Sequence, residues 1–209
     1  MRETPEQKCA RLTKIECDLW AKGYIIAGMD EVGRGPLAGP VTTACVSIPR
    51  DKLVLGVDDS KKLSEKKRES LYDALVAAAD YCEVTFLPRD VIDEINILNA
   101  TRRAMEKSAL GFCREKGIIL IDALDGLALP CAGMPIVHGD RESYMIAAAS
   151  VIAKVARDRY MIELDKTYPQ YGFARNKGYG TQEHIAALKK FGPCPEHRRS
   201  FIGHFILEE

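Results

Sequence analysis

Three short apolar runs in this chain each lead into a carboxylate, and that repetition limits the folds open to it. Tyr24-Ile25-Ile26-Ala27-Gly28-Met29 runs into Asp30-Glu31, Ile118-Ile119-Leu120-Ile121 runs into Asp122, and Met134 to Val137 is followed by His138-Gly139-Asp140. The first two, short and continuous, read as buried strands, and the third as a further strand. An acid at the end of a buried strand is costly unless something compensates it, and a divalent cation is a common compensation. If the strands lie side by side with those ends together, Asp30, Glu31, Asp122 and Asp140 converge. Such a cluster repels itself unless its members are protonated or hold two Mg²⁺-class ions, the clamp used for in-line phosphodiester displacement. Neighbouring strand side chains point to opposite faces, so Asp30 and Glu31 share a site only if the chain turns at once. Gly33, Gly35 and Gly39 allow that turn. Taken alone, Asp-Glu also reads as a hydrated surface turn. Asp125 competes for the third role, but Asp122 abuts its strand directly, whereas Asp125-Gly126 has turn chemistry.

The rest of the chain reads as helices around these strands. A helix is expected over residues 5–20, with Pro5 in its first turn and Leu12, Ile15 and Leu19 on one side. Val41 to Ile48 is expected to pair with the first strand, and Glu83 to Leu87 reads as another. Helices are expected from Ser64, over about 98–116, over about 142–165 and near 181–190. Two hairpin-like strands followed by alternating strands and helices imply a mixed α/β sheet flanked by helices, with a helical C-terminal region. One domain spanning 1–209 is expected, its N-terminal helix within 1–22 and its C-terminal helical region from about 165 to 209.

Composition removes several classes. With 46% hydrophobic residues the chain is not disordered, and no apolar run reaches the roughly 20 residues that span a bilayer. Seven scattered Cys without a C-x-x-C pair argue against a disulfide scaffold or a zinc site, so a reducing cytoplasm is expected. Lys and Arg balance Asp and Glu at 30 each, which excludes a strongly basic coat protein but not a nuclease. Between Asp140 and His204, eleven Lys and Arg face seven Asp and Glu, a mild basic bias that suits either phosphates or water.

The loop after the first strand, Gly33-Arg34-Gly35-Pro36-Leu37-Ala38-Gly39-Pro40, is not a dinucleotide fingerprint. Its glycines miss the G-x-G-x-x-G spacing by one, and its prolines stand where a helix would have to start. No H-E-x-x-H or G-x-S-x-G motif occurs, and Ser143 and Ser150 lack an evident base. Lys154, Arg157 and Arg159 are expected to face either substrate or solvent.

Asp30 to Pro40, Asp59-Ser60-Lys61-Lys62-Leu63-Ser64, His138-Gly139-Asp140 with Ser143, Ala147 to Asp158, Asn176 to Thr181, and Arg198 to Phe201 occur in the order found in bacterial ribonuclease HII. The chain resembles that family from about residue 24 to 203. The resemblance implies a ribonuclease H-like fold and an endoribonuclease acting on RNA–DNA hybrids and on DNA duplexes with embedded ribonucleotides. It implies a cut 5′ to the ribonucleotide, leaving 5′-phosphate and 3′-hydroxyl ends. Asp30, Glu31, Asp122 and Asp140 match the family's catalytic, metal-binding acids, which hold two divalent ions, Mg²⁺ or Mn²⁺. Family members often carry Asp-Gly at the third acid, where this chain has Asp122-Ala123. Gly33, Arg34 and Gly35 match the segment that contacts the ribose 2′-OH, Tyr179 the tyrosine that packs on the next deoxyribose, and Lys61 a phosphate-binding lysine. Read without the resemblance, Tyr179 is a loop residue pinned to the core, and Ser60-Lys61-Lys62 is a hydrated surface before a helix. No partner-binding tail is evident after Phe205-Ile206-Leu207, so a monomer is expected, with no membrane association.

Two other readings stand beside this one. A non-catalytic nucleotide- or RNA-binding module would use the glycine loop as a phosphate cradle and bind without turnover. A related ribonuclease H-like enzyme would need a longer RNA run and ignore junctions.

Overall fold

The computed structural model describes residues 3–206. Residues 1–2 and 207–209, the outer edges of the two expected terminal helical regions, lie outside them. The first helix, α1 (Pro5–Leu12), opens on a reciprocal cap: the Thr4 hydroxyl accepts from Gln7 N–H while the Gln7 side chain accepts from Thr4 N–H. The single helix expected over 5–20 divides at Thr13, whose hydroxyl donates back to the Cys9 carbonyl at 2.8 Å. The second half is α2 (Lys14–Ala21).

Five strands follow: β1 (Ile25–Val32), β2 (Val41–Ser47), β3 (Tyr81–Leu87), β4 (Gly117–Asp122) and β5 (Ala132–Ile136). Their order in the sheet is β3-β2-β1-β4-β5. β1 pairs antiparallel with β2, and β2 with β3, whereas β1–β4 and β4–β5 are parallel. The sheet is therefore the mixed one expected, with its acid-bearing strands β1 and β4 adjacent and pointing the same way.

Period-two alternation divides the strand residues between two helical layers. Ile26 and Leu120 pack with Met145, Ala149 and Ile152 of a long helix. Ala27, Met29, Ile119 and Ile121 pack with Met105 and Ala109 on the other face. The helices are α3 (Glu65–Ala78), α4 (Arg89–Ala109), α5 (Gly139–Glu142), α6 (Tyr144–Thr167), α7 (Phe173–Asn176), α8 (Gln182–Phe191) and α9 (Arg199–Ile206). The helix expected from about Leu98 is the second half of α4. Asn96, at φ 65°, interrupts the helix, and its side chain caps the next turn by accepting from Leu98 and Asn99 N–H. α4 stops at Ala109 rather than Lys116. The helix expected from Glu142 breaks at Ser143, which caps α6 by accepting from Ile146 N–H and donates to the buried Glu16. No described helix is long and apolar enough to cross a membrane.

The C-terminal helices pack around a buried histidine pair. His184 Nδ1 lies 2.9 Å from the Tyr179 carbonyl, the two Nε2 atoms lie 3.0 Å apart, and Cys194 N–H meets His197 Nδ1 at 3.0 Å. These partners fix one consistent order: His184 Nδ1 donates, His197 Nε2 donates to His184, and both rings are neutral. Burial and the neighbouring His184 push His197 down to about 4, and burial lowers His184 as well. An unfolded chain would bind protons that the folded pair refuses, so this pair's stabilisation is lost as pH falls from about 6.5 toward 4. The loss is on the order of 2 kcal/mol. Buried acids with raised pKa values act in the opposite direction, so the comparison needs a variant. The urea midpoint difference between pH 7 and pH 5 is expected to shift toward acid stability in His197→Gln; identical pH profiles would refute the pair's role.

Candidate active site

The parallel pairing of β1 and β4 sets the site. Met29 stands opposite Ile121, which puts Asp30 and Asp122 at the next step of the same ladder, on the face covered by α6. The α5 turn then brings in Asp140. Gly139 N–H donates to Asp122 Oδ1 at 2.7 Å, tying the start of α5 to the end of β4. Three acids far apart in sequence thus meet at one end of the sheet.

Glu31 arrives differently from the expectation. The chain does not turn after Asp30, because β1 continues through Val32 and Glu31 pairs with Thr43 of β2. Glu31 accordingly begins on the opposite face. Its side chain is largely buried and meets Arg34 Nη1 at 3.4 Å. The Asp122 charge is nevertheless felt there.

The electrostatics are those of crowded acids. Asp30 is buried, and desolvation, the Glu31 charge and the Asp122 charge push its carboxyl well above the usual range, against the opposing pull of the nearby Ser150 and of the Glu31 N–H that donates to it. Glu31 is raised by burial and by Asp122, against the opposing pull of Arg34. Asp140 is raised by burial, then by Asp59 and Asp122. A wholly oxygen donor set whose members raise one another's pKa is the chemistry that suits a hard divalent cation. The acids do not stand as a ready-made cage, however. Among the described residues, no group of three or more acids, histidines or cysteines is spaced to hold a metal ion. Each acid besides Asp30 leans on another partner instead: Asp122 on Gly139 N–H, Glu31 on Arg34, and Asp140 on Lys61 at 3.8 Å.

Asp125 stands apart from this group. Its side chain is 85% exposed and 3.9 Å from Arg102. Lys61 lies on a short turn before α3, exposed, with its ammonium facing Asp140. Arg34 and Gly35 are exposed, Gly33 is buried, and Tyr179 is 40% exposed rather than pinned inside. The Gly33–Pro40 loop and the Tyr179 loop are joined where Leu37 N–H donates to the Gly178 carbonyl at 2.8 Å.

Sequence reasoning missed what supports these loops. Arg157 and Arg198 are both fully buried. Arg157 donates to the carbonyls of Pro40, Ala38 and Lys177, and its guanidinium lies 5.8 Å from the centre of the Tyr179 ring. Arg157 was expected to face substrate or solvent, and it does neither. Ala149, Ala153 and Arg157 follow one another at four-residue spacing on the buried side of α6, a pattern that could have located it. Lys154 pairs with Asp158 at 2.7 Å and Arg159 with Glu69 at 2.5 Å.

Comparison with known proteins identifies this arrangement. The family model described as Ribonuclease HII matches residues 27–204, which contain every element of the site. The chain belongs to the ribonuclease HII family. A Ribonuclease HII of Caldanaerobacter subterraneus subsp. tengcongensis is 51% identical over 188 residues, 90% of this chain and 78% of the relative. Another, from Caldicellulosiruptor bescii, is 47% identical over 197 residues, 92% of this chain and 94% of the relative. The crystal structure of the ribonuclease H2 from Pyrococcus horikoshii superposes with a TM-score of 0.70 at 26% identity, covering 88% of this chain and 99% of that one. The fold is therefore ribonuclease H-like, and the chain is a hydrolase: an endoribonuclease of the ribonuclease H class acting on RNA–DNA hybrids.

Proposed function

We propose that this ribonuclease HII cuts DNA duplexes 5′ to embedded ribonucleotides, single ones included, leaving 5′-phosphate and 3′-hydroxyl ends. The observation that carries this reading is the joining of two exposed reading elements beside the acids. The Gly33-Arg34-Gly35 bend leaves β1 three residues after Asp30, and the half-exposed Tyr179 is hydrogen-bonded onto the same loop through Gly178. A bend with little side-chain bulk can approach a ribose 2′-OH closely, and an aromatic ring beside it can pack on the next sugar. Together they would examine both sides of an RNA–DNA junction.

Asp30, Glu31, Asp122 and Asp140 would hold two divalent ions, Mg²⁺ or Mn²⁺. When bound, such ions supply an activated water and stabilise charge on the leaving 3′ oxygen. The protein's own groups position the substrate. Lys61, exposed next to Asp140, would take a phosphate oxygen, and the Glu31 N–H, donating to Asp30 Oδ1 at 2.8 Å, holds that carboxylate in place. No Ser, Cys or His nucleophile is needed. Seven cysteines, none in a disulfide, fit a reducing cytoplasm as its compartment.

A labelled DNA duplex with one internal ribonucleotide tests the reading. Scission 5′ to the ribonucleotide in Mg²⁺, abolished by EDTA, is the expected result; gel retardation without scission would favour a binding module. Tyr179→Ala is expected to slow cutting at a single ribonucleotide about tenfold, the worth of one stacking contact. On a four-ribonucleotide run it should cost less than about threefold, since neighbouring sites offer alternatives; equal loss on both would contradict the junction role.

A further inference from the structure

The loop that would read the ribose is held from beneath by a buried cation. Arg198 has no exposed surface, and its guanidinium donates to three carbonyls: Gly33 at 2.6 Å, Arg34 at 3.0 Å and Gly39 at 2.9 Å. No carboxylate pairs with it among the described residues. Its backbone N–H adds a fourth contact, to the Leu37 carbonyl at 2.8 Å. A second buried guanidinium, that of Arg157, holds Ala38 and Pro40. Burying two like charges costs a great deal unless every donor is satisfied. A plain loop staple could be made from neutral amides, so the choice of arginine asks for a reason.

Peptide geometry supplies one. In a trans peptide the C=O of one residue and the N–H of the next point in opposite directions. Drawing the Gly33 and Arg34 carbonyls inward onto Arg198 therefore turns the N–H groups of Arg34 and Gly35 outward. Both residues are exposed, and neither N–H donates to any group among the described residues. Gly35 also has no protein reason to be glycine: a Cβ built there meets nothing within 4 Å. Gly33, by contrast, has φ +89°, and a Cβ would lie 2.2 Å from Arg157 Nε. The side-chain-free surface at Gly35 is open to something outside the chain.

We infer that Arg198 is a positioning residue for ribose selection: by gathering the Gly33 and Arg34 carbonyls on one planar fork, it presents the Arg34 and Gly35 N–H pair to the 2′-oxygen of a ribonucleotide. This rests on the reading that the enzyme acts at embedded ribonucleotides. An ammonium keeps the charge but cannot span three carbonyls in one plane, so Arg198→Lys separates fork from charge.

The test measures binding in an Asp30→Asn background, with Mg²⁺, to two duplexes that differ by one 2′-hydroxyl. Adding Arg198→Lys is expected to cut the preference for the ribonucleotide duplex about tenfold, the value of one well-placed hydrogen bond, while leaving all-DNA binding unchanged. A parallel fall on both duplexes, or an unchanged preference, would overturn the inference. If Asp30→Asn alone binds both duplexes equally, the underlying reading fails and the inference falls with it. Hydrogen exchange on the same Asp30→Asn protein needs no change at Arg198. The Arg34 and Gly35 amides should become protected by the ribonucleotide duplex and not by the all-DNA one; equal protection by both would overturn the inference even if the Arg198→Lys protein fails to fold.

Discussion

Asp30→Asn is expected to lower incision by on the order of 10³-fold or more in Mg²⁺ while the protein becomes more stable. The two effects share one cause. Asp30 is buried beside two other acids, and its charge is opposed by desolvation, by Glu31 and by Asp122. An amide keeps an oxygen to accept the Glu31 N–H, now 2.8 Å from Asp30 Oδ1, but carries no charge to be repelled or desolvated. Removing that strain should add about 1 kcal/mol in metal-free buffer, or roughly 3 °C in Tm for a chain this size. Calorimetry and the labelled-duplex assay on the same preparation check both halves. An active variant would remove the metal role from Asp30, and an inactive but destabilised one would mean that the charge is not strained.

Gly28→Ala is expected to produce the largest loss of stability available from a single methyl group. Gly28 lies mid-strand in β1, where the Ala-rich face of α6 crosses the sheet. A Cβ built there stands 2.1 Å from the Met145 carbonyl carbon and 2.4 Å from Ile146 N. These are backbone atoms, so no side chain can swing away, and either helix or strand must move. Such overpacking costs about 3 kcal/mol or more, lowering Tm by roughly 10 °C. The displaced elements carry Asp30 and Ser150, so activity should fall even below the melting range. Thermal denaturation reads the first effect directly, and a Tm within 2 °C of the parent protein, roughly half a kcal/mol, would show that α6 and β1 separate freely. Gly35→Ala is the internal control, because nothing surrounds its Cβ position.

Much of this was legible in the chain itself because hydrophobic periodicity is local. The runs at 25–29 and 118–121 are too apolar and too short to be anything but buried strands, and each is one; Val41 to Ile48, expected as the partner of the first, pairs with it as β2. The approach of Asp30 and Asp122 could be expected from strand ends alone, since it requires only that β1 and β4 be parallel neighbours, whereas Asp140 also needs the α5 turn that ties Gly139 to Asp122. Three features were not accessible that way. Thr13 and Ser143 break helices through side-chain bonds to Cys9 and Glu16, and the second of these partners lies 127 residues away. Glu31 stays in the strand because β2 pairs with it through Thr43, which overrides the freedom of the glycines that follow. Arg157 and Arg198 look like surface residues by type. They are buried because loop carbonyls, which no sequence pattern reveals, satisfy their donors.

Soaking crystals with Mn²⁺ and a duplex carrying one ribonucleotide, then recording anomalous scattering, tests most directly whether the four acids form one metal centre. Two peaks about 4 Å apart, shared by Asp30, Glu31, Asp122 and Asp140, are expected, with side chains rotated off Gly139, Arg34 and Lys61 to reach them. Peaks bound instead at Asp125, or absent from the end of β1 and β4 while the duplex is seated there, would contradict it.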